Sequence, residues 1–167
     1  MNDKRLRRRT PVRYKQVKNI IEDISFNTGI DIDISSSFLE MAHFDGNDVL
    51  LVDRQILAFL IPIGDNKEWF PTIRGILQWV PNNKWAAVDH GEIPFLMNGA
   101  DCMGAGIHLA DESIEESELI WIKEQENGKQ LAIGISIVNG KDMIKMSNGK
   151  AIETIQWIGD ELWELET

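Results

Sequence analysis

The chain predicts an α+β protein in two modules, an α/β module over residues 1–84 and a compact β-barrel over 85–167. Three observations predict it. A helical apolar period near the N-terminus gives way to apolar runs of strand length. A Pro- and Asn-rich break, "PNNKW", separates two apolar regions after Val80. Beyond it come short strand-like segments with tight turns and one small helix, the pattern of a barrel rather than a parallel sheet. With 167 residues, 43% hydrophobic composition and six Trp, there is material for real cores.

Taken in order, "YKQVKNIIEDISFNTG" places Val17, Ile20, Ile21 and Ile24 at helical spacing, with Gly29 as its stop. "IDIDI" alternates apolar and acidic residues as a half-buried strand does. "MAHF" and "DVLLVD" flank "DGN", whose Asp-Gly pair predicts a hairpin at Gly46. The strand "ILAFLIPIG" runs through a polar turn, "DNKEW", into "FPTIRGILQWVP", a helix opened by Pro71 and ended by Pro81. In the second module "WAAV", "ELIWIKEQ", "QLAIGISIV" and "KAIETIQWI" read as strands, and Asn127-Gly128 as a two-residue hairpin loop. Trp79, Trp121 and Trp157 fall in apolar segments and are expected in cores rather than as base-stacking platforms, while Trp69, Trp85 and Trp163 sit at segment edges.

The net charge of -10 is split by position. Residues 1–18 hold eight basic side chains against Asp3 alone, so the rest of the chain carries -17. The arm "KRLRRR" is either a set of phosphate contacts, through Arg5, Arg7, Arg8 and Arg9, or a solvated tail. From Trp85 onward five lysines face sixteen acids, a poor field for nucleic acid, although Lys141, Lys145 and Lys150 gather as a local basic patch.

Several classes are excluded. The longest apolar stretch, Ile56 to Ile63, is far short of the roughly 20 residues of a membrane span. No apolar region follows the N-terminal cations as a secretory signal requires, so a cytoplasmic protein is expected. The single Cys102 rules out an intrachain disulfide, and it shares no ligand spacing with His43, His90 and His108, so neither metal nor cofactor is expected. The serines at 35–37 lack a nucleophile elbow, "DGND" lacks the distal Glu of a calcium loop, and no Gly-rich phosphate loop is present. A non-catalytic protein is expected.

One stretch, "VDHGEIPFLMNGADCMGAGI" at 88–107, crowds four glycines around a short apolar run. Pro94 is tolerated only in the first turn of a helix, which starts that helix near Gly91, with Ile93, Leu96 and Met97 inward and Asn98-Gly99 as a left-handed stop. The strand-like "DCM" follows. By spacing alone this is a tight corner or a bare knuckle of backbone open to a ligand.

This stretch resembles the signature of PUA domains, the RNA-binding modules named for pseudouridine synthases and archaeosine transglycosylases. The family pattern is a Gly before a short helix, a Gly-Ala pair after it and a Pro-Gly beyond, here Gly91, Gly99 with Ala100, and Ala105 with Gly106, alanine standing where the family has proline. "EWFPTIRGILQWVP" and "KMSNGKAIETIQWIGDELWEL" are similar to segments of one translation-linked group, that of the malignant-T-cell-amplified-sequence protein and its archaeal single-chain relatives. Residues 1 to about 40 match that group poorly.

The resemblance implies a pre-PUA domain with a basic arm over 1–84 and a PUA pseudo-β-barrel over 85–167. It implies an RNA-facing groove on His90, Gly91, Met97, Asn98, Gly99, Ala100, Asp101 and Met103, where glycines let a phosphate backbone approach. The partners implied are structured RNA, tRNA or rRNA, with the small ribosomal subunit or a translation factor as further partners. The alternative is a protein-interaction module that docks its acidic surface on a translation factor or ribosomal protein.

Overall fold

Helix α1 (Tyr14–Thr28) buries one stripe, Val17, Ile21 and Ile24, and ends where Gly29 turns left-handed at φ 72°. At its start the Gln16 side-chain oxygen accepts the Arg13 N–H at 2.8 Å. Five antiparallel strands follow the order β1 (Arg7–Val12), β2 (Leu39–Phe44), β3 (Asn47–Val52), β4 (Gln55–Ile63) and β5 (Asn66–Pro71). Asp45-Gly46 and Asp53-Arg54 join β2 to β3 and β3 to β4, and all four residues have positive φ, so each two-residue turn matches the strand twist. The α1 stripe packs with Leu39, Leu50, Val52 and Leu57 into one core. Helix α2 (Ile73–Trp79) lies on β4, and there Gly75 is obligatory, since a Cβ on it would stand 2.0 Å from the Leu57 carbonyl oxygen.

This computed structural model describes residues 4–167. They form two units: one runs to Pro81 and takes in Glu164–Thr167, the other is Asn82–Trp163.

Four expectations for the first unit need correction. Residues 30–34 form no strand; Ile34 is buried while Asp33 caps the following turn by accepting from Ser35 N–H and hydroxyl. Most of "DNKEW" is strand β5 rather than a turn. Pro71 closes that strand, and Thr72 caps α2: its hydroxyl oxygen accepts the Gly75 N–H at 3.2 Å and donates to the Ile56 carbonyl at 2.7 Å. From Arg7 the basic arm is no solvated tail but the edge strand β1, held by its ladder to β2. Residues 1–3, ahead of the arm, lie outside the described residues.

The second unit is a six-stranded sheet in the order β7 (Cys102–Met103), β11 (Lys150–Trp157), β10 (Gln130–Ser136), β9 (Leu119–Glu124), β6 (Trp85–Val88) and β8 (Ile107–Ala110). In it β6 and β9 pair in parallel. The sheet's two outermost strands, β7 and β8, are joined by a 3₁₀ turn of three residues, Gly104–Gly106. Three residues span at most about 10 Å, so the sheet must curl until its edges meet. Val88, Leu96, Ile107, Ile120, Ile122, Leu131 and Ile152 fill the interior. Short helices α3 (Ile93–Leu96), α4 (Gly140–Met143) and α5 (Glu161–Glu164) complete the chain.

The β9–β10 loop spans residues 125–129, longer than the two residues expected, and only Gly128 in it has positive φ. The Glu124 carboxylate accepts the N–H groups of Asn127 (2.7 Å) and Glu126 (2.9 Å) there, which hold it below the usual carboxylate range, with a smaller contribution from His90. Trp121 is buried and donates its indole N–H to the Asn83 carbonyl at 2.9 Å, while Trp79 and Trp157 are half-buried against their cores.

Candidate nucleic-acid interface

After β6 the chain makes one 3₁₀ turn, His90–Glu92, and passes into α3 with Pro94 in its first turn, where no N–H is missed. The helix ends in a Schellman motif: the Ala100 N–H reaches the Phe95 carbonyl (3.1 Å), the Gly99 N–H reaches the Leu96 carbonyl (3.0 Å), and Gly99 takes φ 81°. Leu96 is fully buried, while Ile93 and Met97 pack against the core.

Between this knuckle and the start of β11 lies a groove of about 530 Å³. Gly99, Ala100 and Asp101 line it along the chain, Phe95 and Met103 contribute apolar surface, and Glu92 and Lys150 bring charge. Phe95 is 61% and Met103 41% exposed. Asp101 is pinned: one carboxylate oxygen accepts the Thr154 N–H at 3.0 Å and the other stands 3.1 Å from the Lys150 ammonium. The β7–β11 ladder, with Met103 opposite Lys150 and Cys102 opposite Ile152, fixes this arrangement.

Of the residues singled out in sequence, the structure brings Gly99, Ala100, Asp101, Met103 and Lys150 together in this groove. His90, Gly91 and Asn98 are exposed on the adjoining turn and helix end, and Met97 is turned toward the core, none of them lining it. Lys141 is exposed on α4, which packs on β8, and Lys145 follows it, so the three lysines do not all meet in the groove. In the first unit Arg7 and Arg8 are exposed on β1 and Arg5 precedes it. Arg9 is committed elsewhere: its guanidinium grips Glu40 at 2.7 and 3.0 Å and donates to the Thr167 carbonyl at 2.9 Å, which removes it from the phosphate-contact set.

The glycines also read differently in three dimensions. A Cβ on Gly99 would stand 2.7 Å from the Trp157 ring, one on Gly104 2.5 Å from Met146, and one on Gly106 2.4 Å from Glu92. Three of the four therefore admit the chain's own side chains, and only Gly91 faces open space. Glu92 and Phe95 were missed in sequence. The signal was their spacing, since residues three apart on a short helical turn share a face.

Cys102 offers no nucleophile. Its thiol is buried and pushed up to about 12, chiefly by burial and further by the charges of Glu92 and Asp101. Among the described residues no three His, Cys, Asp or Glu converge as a metal site, and no helix is long and apolar enough to cross a membrane.

Residues 84–158 match the PUA domain family. An uncharacterized protein of Methanocaldococcus jannaschii is 33% identical over 163 residues, covering 96% of this chain and 98% of its own. The chain belongs to the PUA-domain family. A conserved PUA-domain protein from Thermoplasma acidophilum has the same fold across both units, with TM-score 0.77, 27% identity and coverage of 92% of this chain and 96% of that one. Translation machinery-associated protein 20 of Schizosaccharomyces pombe is 32% identical over 82 residues, 46% of this chain and 45% of its length. The α+β architecture of an N-terminal sheet module followed by a PUA pseudo-barrel is thus shared with the Thermoplasma PUA-domain protein.

Proposed function

We propose that this PUA protein binds structured RNA, tRNA or rRNA, in a translation-linked, cytoplasmic role without catalysing a reaction. The observation that carries this reading is the groove itself, a cleft that exposes Phe95 and Met103 beside the backbone of Gly99 to Asp101. An exposed aromatic ring beside a cleft suits an unstacked base, and such ends and loops are what proteins read in RNA. Membership of the PUA family supports the class of ligand, and the likeness to a translation machinery-associated protein supports the setting. The exposed Arg7 and Arg8 on β1 supply phosphate contacts with no role in base recognition.

Anisotropy titration of fluorescent tRNA tests it. Wild type is expected to bind with strong salt dependence, and Phe95→Ala with Lys150→Met to weaken binding about tenfold or more, the magnitude of one base–aromatic stack. Equal binding by the folded double variant removes the groove from the interface.

The acid excess of residues 85–167, sixteen against five, favours a second reading in which this surface docks on a basic ribosomal protein or a translation factor. Pull-down after exhaustive nuclease treatment separates the two: partners lost with the RNA support the first reading, partners retained support the second.

A further inference from the structure

The groove carries an unusual charge set for an RNA site. Its one cation, Lys150, is already 3.1 Å from Asp101, and Asp101 spends its other oxygen on the Thr154 N–H. Glu92 is different. Glu92 lines the groove, and its carboxylate has no hydrogen-bond or ion-pair partner among the described residues. Its side chain lies against Gly106, where a Cβ would come within 2.4 Å of it. An ionised carboxylate accepts hydrogen bonds only, and two unused oxygens side by side repel phosphate while inviting two neighbouring N–H donors.

Glu92 stands three residues before Phe95 across the 3₁₀ turn and α3, so carboxylate and ring share one face of the chain. A base stacked on Phe95 would turn an edge toward Glu92. Among the four RNA bases only guanine offers two adjacent donors on its Watson–Crick edge, N1–H and the N2 amino group. Adenine and cytosine each pair one amino group with a ring-nitrogen acceptor, and uracil sets its single N–H between two carbonyls.

From this geometry, and resting on the RNA-binding reading above, we propose that the groove selects an unpaired guanine, stacked on Phe95 and bound through its two Watson–Crick donors by the carboxylate of Glu92. Gly106 is a positioning residue in this scheme, since its missing side chain is what seats Glu92.

The test uses the full chain and fluorescent 11-nucleotide oligouridylates whose central position is G, inosine, A, C or U. The G probe is expected to bind about tenfold more tightly than the A, C and U probes, as one good bidentate contact discriminates. Inosine, which lacks the N2 amino group, should fall between. In Glu92→Gln the preference should collapse to about twofold or less while binding of the U probe is kept or improved, which a folding defect would not produce. Equal binding of all five probes by wild type overturns the guanine assignment and leaves RNA binding intact. A preference unchanged in Glu92→Gln overturns the role of Glu92. Failure to bind any probe at low salt overturns both this assignment and the reading beneath it.

Discussion

On the proposed reading, strand β1 and the groove at the knuckle divide the requirements of RNA binding unequally. β1 displays exposed arginines at an edge strand, whereas the groove has shape, an exposed ring and acceptors but a single cation that is already paired. Phosphate attraction is long-ranged and indifferent to sequence, and base recognition is short-ranged and demands a fixed surface. A net charge of -10 is therefore compatible with RNA as the proposed ligand. On the proposed reading, affinity and selection come from different residues.

The largest expected effect falls on the shaped region. Gly99→Ala combines a φ of 81° with a Cβ 2.7 Å from the Trp157 ring, so it should destabilise the fold by about 2–4 kcal/mol in denaturant unfolding. Gly91→Ala, with open space around its Cβ, should change stability by less than about 0.5 kcal/mol. A silent Gly99→Ala would mean that this glycine is not fixed by packing. Next in size, Arg7→Gln with Arg8→Gln should leave the unfolding midpoint unmoved. It should lower the slope of log affinity against log salt by roughly 0.7 to 0.9 for each phosphate that is no longer neutralised. If instead the base preference changes and the salt slope does not, the division of labour is wrong.

The smallest effect belongs to Arg9, whose guanidinium is paired with Glu40. The Arg9 guanidinium, chiefly through its hydrogen bonds, holds the Glu40 carboxyl below its ordinary value of 4.5. A carboxylate depressed in the folded state stabilises above that ordinary value, and the benefit drains away as pH falls below it. Wild type should therefore lose part of its stability below pH 4.5, and Arg9→Met should start lower and show a shallower acid slope in thermal unfolding against pH.

Much of the fold was legible because its elements obey local rules. The α1 stripe, the Asp-Gly hairpin and the left-handed stop at Gly99 each follow from a few neighbouring residues. "IDIDI" failed because alternation says only that one side of a segment is buried. Ile34 is buried as a loop residue without any ladder. β1 was missed because its pairing with β2 is non-local and Arg-rich edges carry no strand signature. At the site, the Schellman end and β7 fixed where Gly99 to Met103 would stand. What Gly104 and Gly106 are for depended on Met146 and Glu92, neighbours set by tertiary packing. The pairing of Arg9 with Glu40, 31 positions apart, was invisible for the same reason.

The most direct measurement is an amide NMR titration of the full chain with an unlabelled single-stranded RNA. Perturbation of Gly99, Ala100, Asp101 and Met103, together with Phe95 ring shifts that saturate with the same affinity, is the predicted result. Bound RNA that leaves those signals unmoved while shifting only residues of β1 would contradict the assignment of the groove as the recognition surface.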